Sequence, residues 1–591
     1  MKTVVLLGIL TSLVASTGLA ERNSLPEGTP VYRVGAGCTY PTIQQALDAV
    51  PAGASGSIRI RSGQYNESLL IGSRNIELLG GHADCASTTL TGYSTVSALG
   101  TGLPAMRVSA LTGASGTTYS LYINRLDSTD GTGQSDAFPG GGISVITSAG
   151  YSVNIELDDA YVFSNTTAFH GGGIALVGDG TGTIVFLNNS RVYDNTVTSA
   201  TGRGGGISCL GSYQLGLLGG SIHGNTVGTV GGSGRGGGIS LEGCSLYWFA
   251  GPSASGPATL RNNTVHGRGG AIHASGGAQV DLVGAHLVIF GDPVSTRPLV
   301  IRDNTALGSS TEGLGGAFHA AGSGTRISID RSWTQNNNAG RAGGAAYVSG
   351  GATINFLRSE STCHNPASCS RVFGNVAELI AGAGIAIGSG SQLNIQRTIV
   401  ADNLVNQTAD SILRVGDGAL LELNDSLVHG ITGTNYGLVN VSGTLNIRRS
   451  TIADLAPQTA VFFLSGPDTN LSIRDAIIHE TGGNAMVNAA PGTAPIVETA
   501  CTIWHDDALT ELGLSAQTLV ADPAFVNRTQ GLFYLAPGSP AINYCFDIGQ
   551  PADLEWRPRG LLHSGQPATH GPVDLGAYER PLLIFNDRFE N

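Results

Sequence analysis

Hydrophobic and polar residues alternate over short stretches along most of the chain, which is the pattern of half-buried β-strands. Two examples are SVNIELDDAYVF at 152–163 and TIVFLNNSRVY at 183–193. The segments are rich in β-branched residues and are separated by Gly, Asn, Asp and Ser. Helical periodicity is nearly absent, and the main exception is TIQQALDAV at 42–50. The pattern therefore predicts an all-β protein with one short helix near its start.

A glycine block followed by isoleucine recurs at a nearly constant interval. The third glycines of the four clearest copies lie 31, 33 and 32 residues apart. These copies end at Ile143, Ile174, Ile207 and Ile239, and weaker copies begin at Gly269, Gly315, Gly343 and Gly382. A fixed period in this range predicts stacked structural units.

An asparagine column precedes the glycine blocks, as in VFSNTT, VYDNTV and IHGNTV. Its members are Asn165, Asn195, Asn225, Asn263, Asn304, Asn375 and Asn403. Asparagine tolerates left-handed backbone, and its amide can hydrogen-bond to an equivalent amide above and below. The column therefore predicts a ladder of asparagines at a turn, with like strands stacked in parallel about 4.8 Å apart. The isoleucines are expected to point inward, and the glycines to permit a tight approach to the next strand.

This architecture resembles the right-handed, single-stranded parallel β-helix of the pectate-lyase-like superfamily. The alternation of N-x-A and GGGI is similar to that of polymorphic outer-membrane proteins and other exported bacterial β-helix repeat proteins. The segment from Cys38 to Gly81, which contains TIQQALDAV and SGQYNESLLI, resembles the N-terminal segment of such folds, including pectin methylesterases. There a short helix caps the first coil. The resemblance covers roughly residues 31–580, and it implies a fold much more than an activity.

The domain organisation follows from these patterns. Lys2, an apolar run and Gly18-Leu19-Ala20 predict a secretory signal peptide at 1–20, with the mature chain starting at Glu21. Residues 21–95 are expected to form the N-terminal cap and first coils, and residues 96–520 the β-helix repeats. Residues 521–580 resemble the closing segment of secreted bacterial β-helices, and 581–591 form a tail. No later apolar run reaches the length of a membrane-spanning helix.

The mature chain keeps eight cysteines, an even number that suggests disulfides in an exported protein. Proximity in sequence suggests the pairs Cys38–Cys85, Cys209–Cys244, Cys363–Cys369 and Cys501–Cys545. No CxxC motif occurs, so we expect no zinc site. These features, with the resemblance, predict a protein secreted by or displayed on a Gram-negative bacterium.

Charge narrows the function classes. The formal net charge of −13 argues against nucleic acid as the main partner. Lys2 is the only lysine, so the mature chain cannot use a lysine base or Schiff base. Arginines precede several glycine blocks, and an arginine clamp for an anionic polymer is one hypothesis, with solvated arginines as the alternative. Its members are Arg203, Arg235, Arg268 and Arg341. Trp248 is a candidate platform for sugar stacking, with burial as the alternative.

Catalytic signals are weak. Asp158-Asp159 and Asp506-Asp507 are adjacent pairs, and neighbours on a strand face opposite sides, which disfavours paired acid–base work. Motifs typical of polygalacturonases and pectin methylesterases are missing, whereas a pectate-lyase-like site, with calcium as its cofactor, is not excluded. We expect no other cofactor or metal.

Two functional hypotheses remain. The first is an exported, non-catalytic or weakly catalytic β-helix that binds or adheres to polysaccharide or another surface polymer at the cell surface. The second is a polysaccharide lyase or glycoside hydrolase whose catalytic residues the sequence does not reveal. The sequence predicts neither the ligand nor the oligomeric state.

Overall fold

The computed structural model describes most of the chain. The described residues are 25–111, 115–133, 135–136, 138–250, 258–289, 292–308, 310–359, 369–406, 410–430, 437–455, 460–480, 485–505, 517–546, 552–563 and 567–580. The predicted signal peptide, the start at Glu21 and the tail at 581–591 lie outside them. The chain divides into a first unit, Met1–Thr226 with Gly243–Tyr247, and a second unit, Val227–Glu242 with Trp248–Asn591.

One α-helix, α1 (Ile43–Ala49), lies near the start of the described residues, where the sequence predicts a capping helix. Thr42 caps it by accepting a hydrogen bond from the Gln45 amide. The Glu67 carboxylate accepts two more, from the amides of Ile43 and Gln44, at 2.8 and 2.9 Å. These bonds satisfy amides that have no partner within a helix, and they tie α1 to the first coils.

In the first unit the strands of successive coils fall into four rows, and the coils that begin at Ser152 and Thr181 have a strand in each row. Row A holds the long strands Val31–Val34, Ser55–Arg61, Asn75–His82, Thr118–Asn124, Ser152–Asp158, Thr181–Leu187 and Ser212–Leu218. Row B holds Gly63–Asn66, Ser94–Ser97, Leu126–Thr129, Tyr161–Phe163, Arg191–Tyr193 and Ser221–His223. Row C holds Thr166–Thr167 and Thr196–Val197. Row D holds Leu69–Ile71, Met106–Ala110, Ile143–Thr147, Ile174–Gly178 and Ile207–Leu210. The strands Thr226–Val227 and Ser245–Phe249 contain residues of both units.

The second unit repeats these rows. Row A holds Gln279–Val283, Arg326–Asp330, Thr353–Leu357, Gln392–Gln396, Leu420–Asn424, Thr444–Arg448, Asn470–Glu480 and Ile496–Trp504. Row B holds Thr259–Arg261, Leu299–Arg302, Ser332–Gln335, Ser370–Phe373, Thr398–Ala401, Leu427–His429, Thr451–Leu455 and Thr518–Val520. Row C holds Gly234–Arg235, Thr264–Arg268, Thr305–Leu307, Asn338–Ala339, Val376–Ala377 and Leu404–Val405. Row D holds Ile239–Glu242, Ile272–Ser275, Phe318–Ala321, Ala346–Ser349, Gly384–Ile387, Leu413–Val415, Gly437–Val441, Ala460–Leu464 and Ala485–Ala489.

Equivalent strands of successive coils pair in parallel within each unit. Each unit is therefore a stack of coils, as in the right-handed parallel β-helix that the sequence predicts. In row D of the first unit, Ile143 lies beside Ile174 and Ile174 beside Ile207, and all three are buried. The prediction of inward isoleucines is correct there. In the second unit Gly384, not Ile385, lies beside Ala346, so the last weak copy of the repeat is shifted by one residue.

Asparagine amides form a ladder in each unit, with side-chain bonds of 2.9 or 3.0 Å. In the first unit the ladder joins Asn165, Asn195 and Asn225. In the second it joins Asn263, Asn304, Asn337, Asn375 and Asn403. The left-handed backbone belongs to the preceding residue, such as Ser164 or Asp194, and not to the asparagine as the sequence suggested. The ladder asparagines are buried, so their amides replace the water that a turn would otherwise need.

The glycine blocks are required by close contact between coils. Gly171 has a φ of +65°, which favours glycine, and a Cβ at Gly172 would lie 2.4 Å from the carbonyl oxygen of Gly205 in the next coil. Glycine is therefore needed at Gly171 and Gly172 because the backbone turn and the next coil leave no room for a side chain at these positions.

Two antiparallel pairs interrupt the rows of the second unit. Ala285–Ile289 pairs with Asp292–Arg297. Phe525–Asn527 pairs with Leu532–Leu535 across a short 3-10 helix, Arg528–Gln530. This second pair belongs to the C-terminal segment, by which we mean the described residues between 521 and 580. The C-terminal segment packs on the outer side of row B. Among the described residues, no helix has the length and apolar character needed to cross a membrane.

Candidate functional site

A row of aromatic rings lies on the outer side of row B in the first unit. Val162, Val192 and Ile222 point inward and are buried, so the residues beside them point outward. Phe163 lies beside Tyr193, and Tyr193 beside His223. Both pairs stack with ring centroids 5.1 Å apart and planes within 7° and 16° of parallel.

A second pair of rings extends this row. Tyr93 stacks on Tyr161 with centroids 5.4 Å apart, and Tyr161 meets Tyr193 edge to face at 6.4 Å. Arg125 lies over the Tyr93 ring and Arg191 over the Tyr161 ring, at 5.7 and 5.5 Å. We call Tyr93, Tyr161, Phe163, Tyr193 and His223 the aromatic strip. All five side chains are half-buried, so part of each ring reaches solvent.

Hydrogen-bonding groups line the strip. The Tyr93 hydroxyl donates to Asp159 at 2.9 Å and lies 3.4 Å from the Tyr161 hydroxyl. Asn189 donates to the Tyr161 hydroxyl at 2.7 Å, and Arg191 donates to the Asn189 side chain at 2.7 Å. Because stacked rings cover one another's faces, the strip offers ring edges, hydroxyls, an amide and a guanidinium to a ligand. This is a surface for polar ligands with some apolar character.

Asp127 lies beneath the strip. Its carboxylate accepts a hydrogen bond from the Tyr161 amide at 3.0 Å, and the side chain is buried. Burial raises the pKa of Asp127 to about 7; the hydrogen bond from the Tyr161 amide opposes this rise, and the nearby Asp159 carboxylate contributes to it. A carboxyl that changes charge near neutral pH therefore lies directly under a solvent-facing row of hydroxyls and rings.

This pKa shift predicts a pH-dependent stability. The stability linked to Asp127 is fully present below the ordinary pKa of 3.8 and is lost as the pH rises through about 7, because the folded state disfavours the charged form. Asp127→Asn removes the titration but keeps an acceptor for the Tyr161 amide. We expect its advantage in unfolding free energy over the wild type to grow by about 2 kcal/mol between about pH 5 and pH 7.

Urea unfolding at several pH values measures this difference. Asp179→Asn, at an exposed carboxyl of the same unit, is the control and should run parallel to the wild type. Parallel curves for Asp127→Asn and the wild type would contradict the assignment.

Comparisons with known proteins add little to this geometry. No protein-family model and no curated protein matches the sequence. Among solved structures, the chain is similar to "Crystal structure of pectate lyase Pel9A", with 13% identity over 94% of this chain and 97% of that chain and a TM-score of 0.16. A similarity at that TM-score carries no argument, so the assignment of the fold rests on the parallel rows, the amide ladders and the capping helix described above. The fold is a right-handed parallel β-helix.

The arginines of the predicted clamp lie at the edges of this β-helix, but their partners differ. In the first unit, the backbone of Arg203 forms a parallel β-bridge with that of His170. In the second, Arg235 lies beside Arg268, whose guanidinium makes a bidentate bond to Glu312 at 2.8 and 2.9 Å. Next in this column come Leu314, Ala342 and Ile380.

Arg341 is therefore outside the column, and the alignment that placed it there is wrong by one residue, because Ala342 and not Arg341 pairs with Leu314. Arg268 is already neutralised by Glu312, so the column is not a row of open guanidinium groups.

Trp248 is completely buried. In the strand Ser245–Phe249 alternate residues point inward, and Trp248 takes an inward position. A ring without exposed surface cannot stack on a sugar, so the prediction of a binding role is wrong for this residue.

Three of the four suggested disulfides are present, Cys38–Cys85, Cys209–Cys244 and Cys501–Cys545. Cys369 is disulfide-bonded, and Cys363 lies outside the described residues. Among the described residues, the one grouping with the spacing of metal ligands is Asp475 with Cys501 and Cys545, and both of these thiols are in a disulfide.

The adjacent aspartates have separate partners. Asp158 accepts a hydrogen bond from the Tyr122 hydroxyl at 2.7 Å, whereas Asp159 contacts Tyr93 and Arg125. Asp506 and Asp507 lie outside the described residues.

The sequence reading missed the aromatic strip, although a signal for it exists. Phe163, Tyr193 and His223 each stand two residues before a ladder asparagine. Since the ladder position is fixed in each coil, a ring at this offset must recur on the outer face, one coil above another. Asp127 has no such signal, because it belongs to a coil without a ladder asparagine.

Proposed function

We propose that this protein is exported and binds a polysaccharide along the aromatic strip of the first unit. The observation that carries the proposal is the regular 5.1 Å spacing of Phe163, Tyr193 and His223, one ring for each coil. A polymer chain of sugars that lies along the coil axis meets equivalent groups at each step. Such repetition suits a ligand that is itself a repeat.

The chemistry of the strip supports a saccharide. Sugars present many hydroxyls and small apolar patches of C–H bonds, and the strip combines both complements. Asp159, Asn189 and Arg191 bind hydroxyls as acceptors or donors, while ring edges contact the sugar body. The arginine clamp is not part of this proposal, since Glu312 holds Arg268.

Export is supported by the disulfides, which persist in oxidising compartments. It also agrees with the signal peptide that the sequence predicts at 1–20. Display on the surface of a Gram-negative bacterium remains a prediction, as does adhesion as the biological role.

Affinity electrophoresis in gels that contain neutral and uronate polysaccharides tests the proposal. We expect at least one polymer to retard the wild type. Tyr193→Ala should weaken that binding about tenfold, because it removes the ring between two others and about 1.4 kcal/mol of contact. Tyr161→Phe, which removes only a hydroxyl, should weaken it less.

Tyr151→Ala is the matched control, since Tyr151 is half-buried in the same unit. It immediately precedes the row A strand Ser152–Asp158 and is not part of the aromatic strip. Retardation that is equal for Tyr193→Ala, Tyr151→Ala and the wild type, or absent for all polymers, would exclude the strip as the binding surface.

A second candidate is hydrolysis of the bound polymer. It is favoured by one observation, the carboxyl of Asp127 with a pKa of about 7 near the Asp159 carboxylate. A general acid needs a proton at the working pH, and a neighbouring carboxylate can act as base or nucleophile. Release of reducing ends by the wild type that is lost in both Asp127→Asn and Asp159→Asn would support this candidate. Unsaturated products detected by ultraviolet absorbance would instead support a lyase.

A further inference from the structure

A small pocket lies in the second unit between row B and the C-terminal segment. Its floor is formed by the outward side chains of Thr398–Ala401 and Leu427–His429, and its roof by residues 530–532. Ile399, Ala401 and Leu427 face outward yet are buried, because the C-terminal segment covers them. The cavity measures about 220 Å³. It is therefore an unfilled part of a second apolar core, open at one side.

The ends of this pocket carry opposite charges. Arg371 lies at one end, where its guanidinium is 5.7 Å from the centre of the Trp333 ring and 6.0 Å from that of Phe373. Asp402 lies at the other end and is exposed. Its carboxylate extends over Gly430, where a Cβ would lie 2.3 Å from Oδ1. The glycine therefore leaves the space that the Asp402 carboxylate occupies.

The strand register sets the backbone spacing of these two residues. Arg371 lies beside Ile399, and Asp402 follows Ile399 by three residues. Three residues of extended strand span about 10 Å. The apolar residues Ile399, Ala401 and Leu427 separate the two charges. His429 adds a ring at the Asp402 end, packed 5.0 Å from Phe533.

We propose that this pocket binds a small zwitterion whose carboxylate and ammonium groups are separated by a short aliphatic chain, of the ω-amino carboxylate class. The carboxylate pairs with Arg371, whose planar guanidinium suits a carboxylate. The ammonium group pairs with Asp402, and the aliphatic chain lies on Ile399 and Leu427. The volume, below that of pockets for drug-sized ligands, suits a ligand of this size.

Isothermal titration calorimetry with three probes tests this proposal. The probes are 6-aminohexanoate, hexanoate and hexan-1-amine, which carry both charges, the carboxylate alone and the amine alone. We expect 6-aminohexanoate to bind at least about tenfold more tightly than either single-ended probe. In Arg371→Gln, 6-aminohexanoate should bind only as tightly as hexan-1-amine binds the wild type. In Asp402→Asn, it should bind only as tightly as hexanoate binds the wild type. Asparagine tolerates the left-handed backbone at residue 402, so this variant is expected to fold.

Two further variants separate binding from folding. Ala401→Leu fills the floor without changing a charge and should abolish binding of all three probes. Arg448→Gln, at an exposed arginine on another row, should bind as the wild type does. Equal binding of the three probes, no binding of any, or persistence of binding in Ala401→Leu would overturn the proposal. Tighter binding of glucuronate that depends on Arg371 would also overturn it and assign the pocket to a saccharide. None of these outcomes bears on the aromatic strip, which lies in the other unit.

Discussion

Arg559→Met is expected to lower the free energy of unfolding of the second unit by about 3–5 kcal/mol. The Arg559 side chain is completely buried, and its guanidinium donates to the Gly576 carbonyl at 2.9 Å. It also lies 3.4 Å from Asp425, a buried carboxylate of the β-helix, and 3.8 Å from Glu579 in the C-terminal segment. Removal of this cation takes a guanidinium away from the buried Asp425 carboxylate, which Arg449 also contacts at 2.9 Å, and leaves the buried Gly576 carbonyl without this donor.

The surrounding groups show why this loss is large. Burial, together with the Asp574 carboxylate, raises the pKa of Glu579 to about 8, and Arg559 opposes the rise. Glu579 also accepts hydrogen bonds from the amides of Gly560 and Leu561, at 2.9 and 3.2 Å. The charge on Arg559 therefore stabilises the loops of the C-terminal segment as well as its contact with the coils.

Urea unfolding followed by circular dichroism measures the effect. The control is Arg474→Met, because Arg474 forms an ion pair with Glu498 in which both side chains are about half exposed. Exposed pairs contribute little, so this control should change the unfolding free energy by less than about 1 kcal/mol. If Arg559→Met and Arg474→Met unfold at the same urea concentration, the buried network does not hold the C-terminal segment.

Asn337→Ala is expected to cost about 3 kcal/mol or more, because it interrupts the ladder of the second unit in its middle. The Asn337 amide nitrogen donates to the carbonyls of Ile301 and Gln335 and to the Asn375 side chain. Its oxygen accepts from the backbone and side chain of Asn304. Alanine leaves several buried groups without partners, and each costs about 1–3 kcal/mol.

Asn355→Ala is the matched control for this prediction. Asn355 lies on the outer face of the next coil of the same unit, where it bonds with Ser328 and Asn394 at 3.3 and 2.8 Å. Water can replace these bonds because the side chain is half-exposed. We expect a change below about 1 kcal/mol. Similar urea midpoints for the two variants would mean that the buried ladder has no special role.

Asn337 also shows where the sequence repeat does not determine the register of a coil. It stands in QNNNAG, where three consecutive asparagines hide which one joins the ladder. The parallel pairing of Asn338 with Thr305 decides the register and selects the middle asparagine. Arg341 was misplaced for the same reason, since a shift of one residue in a weak repeat moves a side chain to another column.

The charge network and the pocket have no counterpart in sequence periodicity. Asp425 and Arg559 are 134 residues apart and meet only because the C-terminal segment folds back over row B. Likewise, Arg371 and Asp402 belong to different coils, and the segment at 530–532 turns the surface between them into a cavity. Long-range contacts of this kind depend on where a loop lands, which no local pattern encodes.

The sequence by itself determined the coil of this protein: parallel strands, inward isoleucines, buried asparagines and a capping helix. It did so because equivalent positions in successive coils have the same local environment. The same residue types therefore recur at those positions in each copy of the repeat. Only the tertiary structure decided which outward residues lie together, where the C-terminal segment packs and that Trp248 is buried. Those outcomes depend on register and on packing between distant segments. Each such contact occurs once in the molecule, so it produces no periodic pattern in the sequence.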